Sequence, residues 1–346
     1  MADRDRVLAY RVAAHQLDRT AAGPAALRVF DLGVQDSERS ARTALAARLD
    51  TPADLSDFVL TWSVRGAPHW HRPGALPALA DALWPLTDAD AVTRMNRPPV
   101  TAGLAALRQV VEALKAVVDR PMTKGEASAE LTPLVPVELT AWCRGCAATH
   151  VLDPVFRLAV LPAGLRFDPT ARTVTFVPTG ESRVPRRNAG FADLARDYLR
   201  LHGPAGPREV AGYFGAPVGE VEARWPEDLV AVEPGAWLPA DRVAAFENAA
   251  EPDLVRLLPP LDPYLNARDR ELLVPDAARR KDVWKVLGRP GAILVDGEIA
   301  GTWRARTAGR RLDVALAPFA PLDLDRLRAE ADRVATARGL GTARIS

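Results

Sequence analysis

The amino-acid sequence predicts a mainly α fold with small β-hairpins (α+β): tandem winged helix-turn-helix modules followed by a C-terminal β-rich part. Three observations predict it. Apolar stripes at helical spacing recur three times, at Val7, Tyr10, Ala14 and Leu17, at Leu104, Leu107, Val111, Leu114 and Val118, and at Phe191, Leu194, Tyr198 and Leu201. Each stripe opens a segment that continues through shorter helices into a short apolar run broken by turn residues. Beyond about Leu254 the pattern changes to strands joined at Asp296-Gly297 and Ala308-Gly309, which are strong hairpin turns.

These signals divide the chain into modules over 1–98, 99–185 and 186–250 and a tail over 251–346. In the first, Ser37 to Leu49 reads as a helix, and Phe58 to Val64 can pair with Trp70-His71 across Gly66-Ala67-Pro68. In the second, Thr123-Lys124-Gly125-Glu126 is a capping-box pattern, Asp153-Pro154 starts a helix, and Leu165-Arg166-Phe167 faces Thr173 to Val177 as a wing. In the third, Val210 and Phe214 mark a short helix, Gly215-Ala216 a turn, and Pro217 the first residue of a helix carrying Val218, Val221 and Trp225 inward. Leu229 to Val232 and Ala236 to Leu238 then fold as a hairpin over Glu233-Pro234-Gly235. In the tail, Ala292 to Val295, Ile299 to Arg306 and Arg311 to Leu316 are strands, and Asp323 to Arg338 is a closing helix.

The composition is globular: 346 residues, 48% hydrophobic and 26% charged, with room for two or three domains. A net charge of +1 argues against a wholesale polycation, yet Leu265 to Arg311 holds 11 basic against 6 acidic residues, so positive charge is concentrated there. The 2 cysteines share one Cys143-Arg144-Gly145-Cys146 cluster, which excludes a disulfide framework and suits a reducing compartment. No window spans a bilayer, and the charged start lacks a secretory apolar core, so a cytoplasmic location is expected.

The chain shows no P-loop, dinucleotide glycine fingerprint, Gly-x-Ser-x-Gly elbow or His-Glu-x-x-His, so no cofactor is expected. Cys143 and Cys146 have zinc-ligand spacing with His150 following, but no second cysteine pair exists; packed thiols of a helix are expected, and no metal. His69 and His71 alternate as on a strand and, with Arg65, either line a groove or are solvated. Asp31-Leu32-Gly33-Val34-Gln35-Asp36-Ser37 puts polar side chains and a glycine at a helix junction. A carboxamide or carboxylate there can orient a water for attack on an electrophilic carbon. Asp36 or Ser37 can equally cap the helix that follows.

Gly33-Val34-Gln35-Asp36, Thr61 to His69, Tyr198-Leu199-Arg200 through Gly203-Pro204-Ala205, Leu257 to Tyr264, and Val295-Asp296-Gly297 with Gly301-Thr302-Trp303-Arg304 together resemble one family. It is the bacterial winged-helix DNA-binding-domain family that includes the AlkZ-like and YcaQ-like DNA glycosylases. The matching blocks run in family order from about residue 5 to 320. The resemblance implies tandem winged helices around a duplex-binding surface, and excision of bulky alkylated purines or unhooking of interstrand crosslinks. Some members protect antibiotic producers from their own genotoxins. The family's catalytic signature is Gln, an apolar residue, then Gln or Asp. Here Gln35 falls on the second polar position and Gly33 stands where the first Gln is expected.

The expected activity is therefore hydrolysis of the N-glycosidic bond of alkylated or crosslinked purines, with Gln35 and Asp36 as catalytic residues. Double-stranded DNA is the expected partner, without an obligate protein partner or membrane. The expected DNA contacts are Arg65, His69, His71, Lys124, Arg268, Arg270, Lys281, Arg304, Arg306, Arg310 and Arg311. The other reading is a non-catalytic winged-helix protein, either a regulator or one that sequesters lesions.

Overall fold

The computed structural model describes residues 3–37, 40–181 and 184–346. The chain forms two compact units, one of Met1–Ser56, Arg196–Val210 and Pro226–Ser346, the other of Asp57–Ala195 and Ala211–Trp225.

The first unit is organised by a five-stranded sheet in the order Val255–Leu258, Gly291–Val295, Glu298–Ala308, Arg311–Pro318, Thr342–Ile345. Its pairs are antiparallel except the last, which is parallel. Asp296 and Gly297 both take positive φ, 48° and 89°, the twisted two-residue turn that suits right-handed strand twist. The helix Leu324–Ala337 starts where the Asp323 carboxylate accepts from the backbone N–H groups of Asp325 and Arg326. Its Leu327, Ala331, Val334 and Ala335 pack on Val255, Leu257, Ile293, Trp303, Leu312 and Val314 of the sheet. Trp303 Nε1 donates to Leu258 O at 2.8 Å across the sheet. A side chain at Gly291 would collide with that indole and that carbonyl, so the close approach requires glycine.

The same unit contains the expected first helix, Arg4–Ala14, whose Val7, Tyr10 and Ala14 pack on Leu238 and Phe246. The hairpin Leu229–Glu233 with Ala236–Pro239 also forms as expected.

The second unit is built on the helix Gly103–Val117, which buries Leu107, Val110, Val111 and Leu114. They pack with the helix Asp153–Val160 and an aromatic nest of Trp62, Phe156, Phe167 and Phe176. Trp62 meets the three phenyl rings edge-on at centroid distances of 6.1, 5.2 and 5.5 Å, a geometry that favours aromatic pairs beyond their area. The capping box at Thr123 and Glu126 is complete. Val59–Trp62 pairs with Pro68–His71, and Leu165–Phe167 with Thr175–Pro178.

The structure departs from the sequence expectations at several places. The helix expected over Ser37 to Leu49 is Ala41–Ala46, and positions 38 and 39 lie outside the described residues. The helix after Gly215-Ala216 is Val218–Glu222, with Pro217 as its N-cap; five residues make little more than one turn, so Val221 is buried while Val218 stays 37% exposed. The strands Val255–Leu258 and Thr342–Ile345 were not anticipated: the first is buried along its whole length and so shows no alternation, and the second is a short edge strand. Cys143 lies on a β-hairpin rather than a helix, because Thr140–Cys143 pairs with Ala148–Val151.

Candidate active site

Gly33 turns the chain with φ 86°, a left-handed conformation open to glycine without strain, and leads into the short strand Val34–Gln35. Leu32 and Val34 anchor this segment in the core. Gln35 is 8% exposed, and its Nε2 donates to Ser37 Oγ at 3.0 Å. Its Oε1 is buried without a hydrogen-bond partner among the described residues. A carbonyl oxygen left that way costs about 1–3 kcal/mol, a penalty removed when a water or ligand donates to it. The Asp36 carboxylate accepts from the backbone N–H of Ala41 at 2.9 Å, so one of its oxygens caps the helix Ala41–Ala46. The side chain that bonds the Gln35 amide is Ser37, two residues on, and one oxygen of Asp36 serves the helix start.

Ser37 and Ser40 open onto a cavity of about 470 Å³ whose wall includes Leu261, Arg289, Trp303, Arg304 and Arg338. Arg289 Nε donates to Lys285 O at 3.5 Å, Arg304 Nη2 to Gly288 O at 2.5 Å, and Arg338 Nε to Thr43 Oγ1 at 3.2 Å. These bonds orient the guanidinium groups without neutralising them. Burial lowers the Arg338 pKa; burial, then the neighbouring Arg268, lowers that of Arg289. Arg270 is lowered by burial first, then by Arg268 and Arg289. Cations that disfavour one another in this way define a surface that an anion stabilises. Val286 on the cavity lining and the adjoining Leu287 are 93% and 88% exposed.

Leu261, on the cavity wall, holds φ 64°, a strained conformation for a branched side chain. Its neighbour Asp262 fixes the turn. The Asp262 carboxylate takes two bonds from Arg48, at 2.7 and 2.9 Å, and one from the Tyr264 N–H at 2.9 Å.

Of the residues expected to meet DNA, the structure places Arg304 on the cavity wall, and Arg268 and Arg270 in the arginine cluster around Arg289. Arg306, Arg310 and Arg311 are exposed on the long hairpin, with Arg311 paired to Asp313 at 2.8 Å, and Lys281 is exposed on the helix Ala277–Val283. Arg65 sits in a tight turn at φ 53° with its guanidinium over the Tyr213 ring, and donates to Tyr213 O. Lys124 is committed to Asp153 at 2.5 Å.

The histidines require a correction. His69 and His71 neither line an open groove nor reach solvent: they are 2% and 1% exposed. His69 Nδ1 donates to Ala67 O at 2.9 Å, and His71 Nε2 lies 2.8 Å from Ser63 Oγ. Burial holds His69 down to about 4 and His71 to about 3. Strand alternation put both on one face, as expected, but that face is the packed one.

Arg289 and Arg338 escaped the sequence reading. Arg289 has a signal, since it sits between Gly288 and Pro290 inside the basic segment; Arg338, just past the end of a helix, reads as a simple terminal charge.

A second cavity, about 330 Å³ and mostly apolar, lies in the other unit against Trp62, Trp84, Leu107 and Phe214. Two of its cations are already engaged, Arg65 on Tyr213 O and Arg157 on Asp153, so it is the weaker site for an anion.

The cysteine cluster is exposed rather than packed. Cys143 is half-buried and Cys146 exposed, and their sulfurs and a His150 ring nitrogen lie within 4.8 Å of one another. Hydrogen bonding to His150, then to Cys146, brings the Cys143 thiol to about 7.

Comparison with known proteins first gives the fold. It is similar to that of Streptomyces sahachiroi DNA glycosylase AlkZ, whose structure aligns over 100% of both chains with a TM-score of 0.76 at 18% identity. The family follows from the sequence. Residues 26–337 match the family described as DNA glycosylase AlkZ-like, and the chain belongs to that family of DNA-repair glycosylases. A search of the curated proteins gave no match. Among the described residues, no helix is long and apolar enough to cross a membrane.

Proposed function

We propose that this glycosylase hydrolyses the N-glycosidic bond of alkylated or crosslinked purines in duplex DNA, with Gln35 holding the attacking water. The observation that carries the reading is the buried Oε1 of Gln35, which has no hydrogen-bond partner among the described residues. Its Nε2 is anchored on Ser37, so the oxygen has a fixed direction, and no described residue donates to it. A water that donates to Oε1 keeps a lone pair for C1′ of the deoxyribose.

An N7-alkylated purine is cationic, so the bond from C1′ to N9 breaks with its electron pair returning to the base, which leaves neutral. Little general-acid help is needed. The positive charge that develops on the sugar is met by the water, whose proton passes to the Asp36 carboxylate or to solvent as the C1′–O bond forms. Arg289, Arg304 and Arg338, with Arg268 and Arg270 beside them, suit the flanking phosphates. Arg306, Arg310, Arg311 and Lys281 extend the same positive surface, and Arg65 belongs to the proposed duplex contacts. Three winged-helix modules over 1–98, 99–185 and 186–250, and a tail over 251–346, are part of the proposal.

The test is release of free base. Purified protein incubated with duplex DNA carrying N7-methylguanine should liberate the methylated base and leave an abasic site. Binding to that duplex without base release would favour lesion sequestration, the reading to which Gly33 in place of a first glutamine and the capping role of Asp36 both lend weight.

A further inference from the structure

The cysteine hairpin carries an inference independent of the glycosylase site. Its register pairs Ala141 with His150 and Cys143 with Ala148. Side chains alternate along a strand, so Cys143 shares a face with Ala141 and hence with His150. The chain then turns through Arg144 and Gly145, and Ala147 takes φ 49°. This return brings Cys146 back, so that both sulfurs and the imidazole nitrogen fall within 4.8 Å of one another. Tetrahedral zinc with bonds of about 2.0–2.3 Å holds its ligands roughly 3.3–3.8 Å apart, so closing the site asks each side chain for a shift of about 1 Å or less.

A second observation concerns the imidazole. His150 Nδ1 donates to Val151 O at 3.0 Å. That bond fixes the tautomer and leaves Nε2 with its lone pair, the arrangement that metal-bound histidines adopt when a backbone carbonyl orients them. The third observation is that the hairpin is exposed at its tip, although its base packs through Val151. It is a sheet of two strands, and Trp142 on it is 65% exposed. Two strands alone are marginally stable in water. Thiols packed in a core would explain two cysteines without a metal, but these two are not packed in a core.

We infer that Cys143, Cys146 and His150 form a zinc site, with water as the fourth ligand, that staples the tip of the Thr140–Val151 hairpin. Two thiolates and a neutral imidazole balance the charge of Zn²⁺, and binding releases the thiol protons. The metal would hold the exposed tip of this hairpin, whose base is already packed in the core through Val151, and no step of base excision is routed through it.

Full-length protein purified reduced and without chelator should contain one zinc per chain by elemental analysis, with both thiols shielded from a thiol reagent until chelator is added. Cobalt in place of zinc should give a sulfur-to-metal charge-transfer band with the intensity of two thiolates. Cys143→Ser and His150→Ala should each lower the zinc content and the affinity measured against a chromophoric chelator at least tenfold, whereas Arg144→Ala should leave both unchanged. Should a variant fail to fold, thiol shielding and the cobalt spectrum of the wild type decide the matter. Reduced wild type with freely reactive thiols and no cobalt charge-transfer band overturns the inference. So does a Cys143–Cys146 disulfide in protein that excludes zinc.

Discussion

Arg48 and Asp262 form a bidentate ion pair with both side chains fully buried, Nη2 to Oδ1 at 2.7 Å and Nη1 to Oδ2 at 2.9 Å. Arg48 follows the helix that Asp36 caps, and Asp262 holds the turn that keeps Leu261 in its strained conformation on the cavity wall. Two stretches that are remote in sequence are thereby fixed to one another beside the candidate site. Removing one partner leaves an uncompensated buried charge, which typically costs about 3–5 kcal/mol. Asp262→Ala should lose about that much in denaturant unfolding, whereas the double change Arg48→Met with Asp262→Leu should lose markedly less. Equal losses would mean that the pair acts through packing alone.

The arginine cavity predicts salt-dependent binding. Each phosphate contact releases counterions, so log affinity falls by roughly 0.9 per contact against log salt. Arg289→Ala with Arg304→Ala should weaken duplex binding and flatten that slope by about two units, whatever the base sequence. Arg310→Ala with Arg311→Ala should act in the same direction and less, because Arg311 already answers Asp313. Titrations of a duplex at several salt concentrations check both, and an unchanged slope would remove the cavity from the DNA surface.

Val286 on the cavity lining and the adjoining Leu287 are nearly bare, a cost in water that a partner surface offsets. Apolar side chains in DNA-bending proteins enter base steps and unstack them. Replacing both with serine should reduce affinity for a lesion-bearing duplex by about a hundredfold or more, from the loss of roughly 1.5–3 kcal/mol for each apolar side chain buried in the complex. Thermal stability should not fall. A loss of stability without a loss of affinity would assign the tip to folding.

Much of the scaffold was legible because stripes such as Phe191, Leu194, Tyr198 and Leu201 have one buried face and the turns carry Asp-Gly or a capping box. The site was only partly legible. Gln35 and Asp36 stand out as adjacent polar residues after the apolar Val34, but the pairing of the Gln35 amide with Ser37 depends on how the chain turns after Gly33, which the order of residues does not reveal. His69 and His71 were misjudged for a related reason: alternation identifies a shared face, and tertiary packing decides whether that face is wet. The cavity arginines come from segments far apart in the chain, Arg289 and Arg338 among them, so their convergence belongs to the sheet and not to any motif.

The same histidines set a pH dependence. Burial keeps His69 and His71 neutral in the folded protein, at about 4 and about 3, against 6.5 for the unfolded chain, and His15 and His202 are lowered in the same direction. Below pH 6.5 the unfolded chain takes up protons that the folded one refuses. Stability from these groups is therefore complete above about pH 6.5 and falls as the pH drops toward 4, by about 1.4 kcal/mol per pH unit for each histidine. Unfolding free energies measured from pH 7.5 to 5 should show this decline, and His71→Gln, though less stable at neutral pH, should show a shallower one.

The central claim is that Gln35 orients the water that attacks C1′, and single-turnover excision of N7-methylguanine by Gln35→Ala tests it most directly. Rate per folded molecule should fall on the order of 100- to 10,000-fold while duplex affinity survives. Ser37→Ala, which removes one hydrogen bond to the Gln35 amide, should fall only about two- to tenfold, the equivalent of roughly 0.5–1.5 kcal/mol. An excision rate for Gln35→Ala within a factor of two of wild type would contradict the account.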